Sequence, residues 1–81
     1  MLGILSREQN KIIGIKQTTK ALNHNKVKTL FISEDAEKHL VEHIEQIAKE
    51  KNIEIVYVDS MKDLGKACGI NVGAAVAAVL K

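Results

Sequence analysis

Val27-Lys28-Thr29-Leu30-Phe31-Ile32-Ser33 and Ile53-Glu54-Ile55-Val56-Tyr57-Val58 are rich in β-branched and aromatic residues, and each reads as a strand. The segment between them reads as a helix over 35–51. Ser33 or Asp35 can cap it, and Glu34, Asp35 and Glu37 sit where the positive end of a helix dipole favours acids. Leu40, Val41, Ile44, Ile47 and Ala48 recur at three- and four-residue spacing and make one apolar stripe. Lys49 and Lys51 fall in the last turn, and Asn52 can take the left-handed conformation that ends a helix.

The same alternation extends outward. Upstream, the polar stretch Arg7-Glu8-Gln9-Asn10 predicts a short first helix, and Lys11-Ile12-Ile13-Gly14 a brief strand stopped by glycine. Ile15 to Asn23 predicts a second helix, broken by Asn23-His24-Asn25. Downstream, Asp59 or Ser60 caps a short helix through Met61, Leu64 and Ala67. Gly69 to Asn71 then form a loop, and the uncharged Val72 to Leu80 predict a buried final strand. An α-β-α-β-α-β-α-β order argues for an α/β fold with helices on both faces of a four-stranded mixed sheet.

The 81 residues suit one domain, 1–81. A chain this short buries only about 60% of the surface that it exposes when unfolded, so its core must be efficient. Cys68 is the only cysteine, which rules out a disulfide within the chain and fits a reduced, cytoplasmic compartment. The longest weakly polar stretch, 67–80, has 14 residues and includes Asn71, short of the roughly 20 that a membrane helix needs. Charge is unevenly placed: residues 1–33 carry a net +5, 34–54 a net −4 and 55–81 a net +1. A basic first third beside an acidic middle is the pattern of a polyanion-facing side and a solvated side, although short chains also divide charge this way by chance.

Two segments carry recognition chemistry. In Gly14-Ile15-Lys16-Gln17-Thr18-Thr19-Lys20, glycine permits a tight helix entry, and the first turn exposes backbone N–H groups suited to phosphate oxygens. Lys16, Gln17 and Lys20 share one helix face. Lysine suits guanine O6 and N7, and the amide can both give and accept at a base edge. Alone, the segment reads more readily as an ordinary solvated helix start. In the second segment, Leu64 to Ala75, Gly69 and Gly73 bracket Ile70-Asn71-Val72. Ile70 and Val72 could cover a splayed-out base or simply belong to the core. Gly65, Gly69 and Gly73 repeat a G-x-x-x-G spacing that marks close backbone packing.

Together, G-I-K-Q-T-T-K-A-L and L-G-K-A-C-G-I-N-V-G-A-A, with strand-helix-strand between them, resemble the kink-turn-binding ribosomal protein family called L-seven-Ae, in its small bacterial branch. The resemblance runs from about Arg7 to Leu80. It implies a three-layer α-β-α sandwich that recognises kink-turn RNA. Lys16, Gln17 and Lys20 would then stand where the family reads the guanines of sheared G·A pairs, with Gly14 an RNA-binding residue at that helix entry, and Ile70, Asn71, Val72 and Ala75 would stand in the loop over the extruded nucleotide. The archaeal pattern has Asn then Glu where Lys16 and Gln17 stand, and an amide accepts less strongly than a carboxylate, so binding with more electrostatic character is expected. Lys11, Lys16, Lys20, Lys28 and Lys66 would offset phosphate repulsion at the kink if they converge on one side.

Other constellations are weaker. His39-Leu40-Val41-Glu42-His43 has the H-x-x-E-H spacing of a zinc site without a third ligand at a recognisable spacing. Cys68 has no histidine near it in sequence to act as base, and a buried structural thiol is expected. Gly14 to Lys20 lacks the second glycine and G-K-[ST] ending of a P-loop, and two aromatic residues are too few for a stacking sheet. The expectation is therefore a monomeric, cytoplasmic, non-catalytic protein that needs no cofactor or metal. Its partner would be structured RNA with a kink-turn, in the ribosome or in a regulatory RNA, and no membrane. A general ribosomal-RNA scaffold without kink preference, and a protein-interaction module using the acidic helix 35–51, are the alternatives.

Overall fold

A computed structural model describes residues 10–81. The first helix expected at 7–10 lies, apart from Asn10, outside the described residues. From there the order is β1 (Lys11–Ile13), α1 (Ile15–Asn23), β2 (Val27–Ser33), α2 (Lys38–Glu50), β3 (Glu54–Val58), α3 (Met61–Cys68) and β4 (Val76–Leu80). The four strands form one mixed sheet in the order β1-β4-β2-β3. β2 and β3 are parallel, with α2 as the crossover that a parallel pair needs. The last strand, β4, enters the middle of the sheet antiparallel to both β1 and β2.

Strand alternation divides the core in two. Leu30, Ile32, Val76 and Ala78 face α1 and α2, packing with Leu22, Ile44 and Ala48. Phe31, Ala77, Val79 and Val58 face the other way and meet Leu64 and Cys68 of α3. The result is the expected three-layer sandwich. β2 and β4 are apolar on both sides because both sides are covered. At roughly 25 cal/mol per Å², burial of Phe31, Leu22, Leu30, Ile44 and Leu64 is the main stabilising term.

Each described helix ends in the same way. Asn25 and Asn52 (both φ 58°) and Gly69 (φ 79°) adopt the left-handed conformation. The N–H groups of Lys26, Ile53 and Ile70 then reach back to the carbonyls of Ala21, Ala48 and Gly65, which satisfies acceptors at each helix end.

Two boundaries differ from the sequence reading by more than one residue. The middle helix starts at Lys38, not at 35, and Glu37 at its N-cap makes no side-chain capping bond. Ser33 and Asp35 are used elsewhere. The Ser33 hydroxyl donates to the Ala74 carbonyl (2.6 Å), and the Asp35 carboxylate accepts from the Met61 N–H (2.7 Å). The final strand starts at Val76, not at Val72, and Val72 is 71% exposed. Residues 70–75 instead fold back along α3, with the Ala74 N–H on the Met61 carbonyl (3.0 Å). The G-x-x-x-G spacing marks this close approach at two of its three glycines. A Cβ on Gly65 would lie 2.1 Å from the Val72 carbonyl oxygen, and one on Gly73 would lie 3.1 Å from the Met61 Cβ.

Gly65→Ala should therefore displace the returning loop. A loss of about 2 kcal/mol is expected, or roughly 10 °C in Tm, measured by thermal unfolding. An unchanged Tm would mean that α3 and the loop are not in contact.

Candidate nucleic-acid interface

The register brings four chain segments to one edge of the sheet. Ile13 stands opposite Ala77, Ile32 opposite Val76, and Ser33 opposite Val58. The ends of β1, β2 and β3 and the start of β4 therefore form a common rim. Gly14, at φ 103°, turns the chain from β1 into α1, and its N–H donates to the Val76 carbonyl (3.0 Å). An L side chain rarely adopts that φ, and the space where a Cβ would stand is open. Ser33 closes the rim from β2: its N–H donates to the Ala75 carbonyl (2.9 Å), in addition to its hydroxyl bond to Ala74. The Glu34 N–H joins the rim to β3 through the Val58 carbonyl (2.7 Å).

The first turn of α1 thus lies beside the end of the 69–75 loop. Thr18 donates to Gly14 in the first intrahelical bond, so the N–H groups of residues 15–17 precede it. No side chain caps them. Lys16, Gln17 and Lys20 are exposed, while Thr18 on the opposite side of the helix is fully buried.

On the α3 side, a cleft of about 530 Å³ is lined by Ile70, Asn71, Val72 and Gly73 from the loop, by Lys62, Lys66 and Met61 from α3, and by Asp35. Its two apolar loop residues have different roles. Ile70 is half-buried against the α3-side core, whereas Val72 projects into solvent. The loop is therefore anchored at one apolar residue and displays another. Asn71 is exposed. Ala75 is half-buried and packs on the opposite core, against α1 and α2, so its role is to seat the loop's end.

The lysines do not all converge. Lys28 follows Val27, which pairs with Leu80, and Lys11 pairs with Val79, so both lie at the far end of the sheet from the rim. The register accounts for this, because β1 and β2 both run toward the rim and these lysines stand at their starts. Lys16 stands in the first turn of α1, Lys20 one turn further along, and Lys66 lines the cleft. Sequence reasoning missed Asp35, Met61 and Lys62 as cleft residues. Asp35 lies 26 positions from the N–H that it accepts, and no local pattern signals such a contact.

The remaining reactive groups stand apart from this rim. Burial pushes the Cys68 thiol up from its ordinary pKa, outweighing the opposing pull of the Lys11 charge. His39 meets Glu37 at 3.3 Å with both side chains exposed. Among the described residues, no group of three or more His, Cys, Asp or Glu could hold a metal ion, and no helix is long and apolar enough to cross a membrane.

Fold and site define a small α/β/α protein whose distinctive surface is a loop-and-helix rim. The model of the ribosomal protein L7Ae/L30e/S12e/Gadd45 family matches residues 2–81, and the chain belongs to that family. It is not an enzyme. It is 52% identical over 68 residues to an RNA-binding protein of Caldanaerobacter subterraneus subsp. tengcongensis, covering 84% of this chain and 83% of that one. It is 40% identical over 68 residues to the large ribosomal subunit protein eL8 of Halobacterium salinarum, covering 83% of this chain but 57% of that longer one. Among solved structures, the Giardia lamblia 15.5kD RNA binding protein superposes with a TM-score of 0.92 at 26% identity, covering 99% of this chain and 70% of that one.

The unequal burial of the loop residues has a measurable consequence. Ile70→Ala should lower stability by about 1–2 kcal/mol, whereas Val72→Ala should change it by less than about 0.5 kcal/mol. Urea unfolding of both variants checks this, and equal effects would contradict the loop geometry.

Proposed function

We propose that the protein binds RNA and recognises a kink-turn through the rim formed by the start of α1 and the 69–75 loop. The observation that carries this reading is the Gly14–Val76 hydrogen bond, which fixes the donor-rich helix start against the loop's end. The names of its relatives support an RNA partner. In this reading, Lys16 and Lys20 donate to guanine O6 and N7, Gln17 pairs with a base edge, and the free N–H groups of the first turn take a phosphate. Val72 lies over the extruded base, with the 530 Å³ cleft beside it.

A kink crowds phosphates together, and the lysine charges offset that repulsion. The protein then selects the kinked form from a bent–extended equilibrium, because only that form presents sheared pairs and an extruded base at the right separation. It acts as a cytoplasmic monomer on ribosomal or regulatory RNA.

A mobility shift at two salt concentrations tests this. Kink-turn RNA should bind, and replacing its sheared G·A pairs with Watson–Crick pairs should abolish the preference. Lys16→Ala and Lys20→Ala should each cost about 1–3 kcal/mol of binding, roughly 5- to 150-fold in Kd, with circular dichroism unchanged. Folded variants with unchanged affinity would refute the assignment. Sequence-blind, salt-steep binding by the wild type would favour a general RNA scaffold instead.

A further inference from the structure

A second groove runs along α1 away from the rim. It has a volume of about 300 Å³ and lies where α1 meets β1 and the end of β4. Its floor is apolar, formed by Ile12, Ala21 and Leu80, and its polar lining is Gln17, Lys20, His24 and Lys26. No acid lines it. Lys20, His24 and Lys26 are exposed and have no hydrogen-bonded or ion-paired side-chain partner among the described residues. We propose that this groove holds the sugar-phosphate backbone of an RNA stem flanking the kink, which extends the footprint beyond the kink itself. The proposal rests on the RNA reading above.

Spacing and sign both favour this occupant. Lys16, Lys20 and His24 recur every four residues, so they form one row, each step about 6 Å along the axis. That is close to the step between successive phosphates along a nucleic-acid strand. The row begins at the rim and leads into the groove, so one strand leaving the kink can follow it without a break. The C-terminal end of α1 opposes an anion, but its dipole amounts to only about half a charge. Lys20 and Lys26 supply two full positive charges, and the last carbonyls of α1 are already bonded to the N–H groups of Asn25 and Lys26. Each polar group can donate to a phosphate oxygen: the two ammonium groups, the Gln17 amide and the His24 imidazole. Phosphate positioning, not sequence readout, is therefore the chemistry that they fit.

The test uses the full chain and one kink-turn RNA made with its flanking stems either about 10 or about 4 base pairs long, the affinity being read by fluorescence anisotropy at two salt concentrations. The double variant His24→Ala/Lys26→Ala should bind the long-stem RNA about five- to tenfold more weakly than wild type, with a salt slope shallower by roughly one, and the short-stem RNA equally well. Lys26→Glu should deepen the loss on the long stem. Both positions are exposed and the left-handed Asn25 is untouched, so the fold persists, and circular dichroism verifies it. Unchanged affinity for the long-stem RNA, or an equal loss on both RNAs, overturns the groove. If wild type fails to prefer the kinked RNA over a straight duplex, the kink-turn reading falls separately. The groove is then judged on that duplex, where a loss in the variant supports it and no loss overturns it.

Discussion

The insertion of β4 between β1 and β2 is the constraint on which the structure depends. One antiparallel register on each side places Val76 opposite Ile32 and Ala77 opposite Ile13. A slip of one residue would turn Val76 and Ala78 from the α1/α2 side to the α3 side and break both cores at once. Because the register is fixed by two cores, the position of residues 74–76 is fixed too. Most of the rim is bonded to those residues, Gly14 to Val76 and Ser33 to Ala75 and Ala74, while the Glu34 N–H ties it to Val58 of β3.

This makes the buried Ser33 more important than its short side chain suggests. It spans the end of β2 and the end of the loop with two hydrogen bonds, one from its backbone and one from its hydroxyl. Such a bond contributes about 1 kcal/mol net, but losing the donor leaves a buried carbonyl unpaired at a cost of about 1–3 kcal/mol. Asp35 acts similarly two residues later, by accepting from the start of α3. The segment after β2 therefore fixes the loop and α3 to each other before α2 begins. That is why α2 starts at Lys38 without a side-chain cap: the residues best suited to cap it are already bonded.

The strands β2 and β3, the stripe of α2, and the terminations at Asn25 and Asn52 were legible in the sequence, because each depends on local periodicity or on one residue's backbone preference. The sandwich followed from the alternation of elements. The uncharged run from Val72 to Leu80 has no internal signal separating strand from loop, so the sequence alone extends the last strand back to Val72, whereas it starts at Val76. What separates them is the backbone approach at Gly65, seven residues upstream of Val72 in helix α3. Similarly, Lys28 and Lys11 share the sign of Lys16 but lie at the wrong end of the sheet, and net charge per segment carries no direction. Lys16, Gln17 and Ile70 were recognisable as a set only through the paired motifs, and the sheet register that unites them is a long-range fact.

A small protein with little stability to spare faces a conflict at such a rim. A loop that must meet a partner gains from being ordered beforehand, since ordering on binding subtracts from affinity. Yet ordering a loop in an 81-residue chain consumes apolar groups that the core needs. The 69–75 loop resolves this by dividing its apolar residues. Ile70 and Ala74 are spent on the α3-side core and Ala75 on the other, and only Val72 is left outside. The glycines then let the backbone of the loop, and not additional side chains, provide the remaining packing against α3. Order at the rim therefore comes from the same contacts that stabilise the fold, and the exposed Val72 stands between Ile70 and Ala74, which pack into the α3-side core.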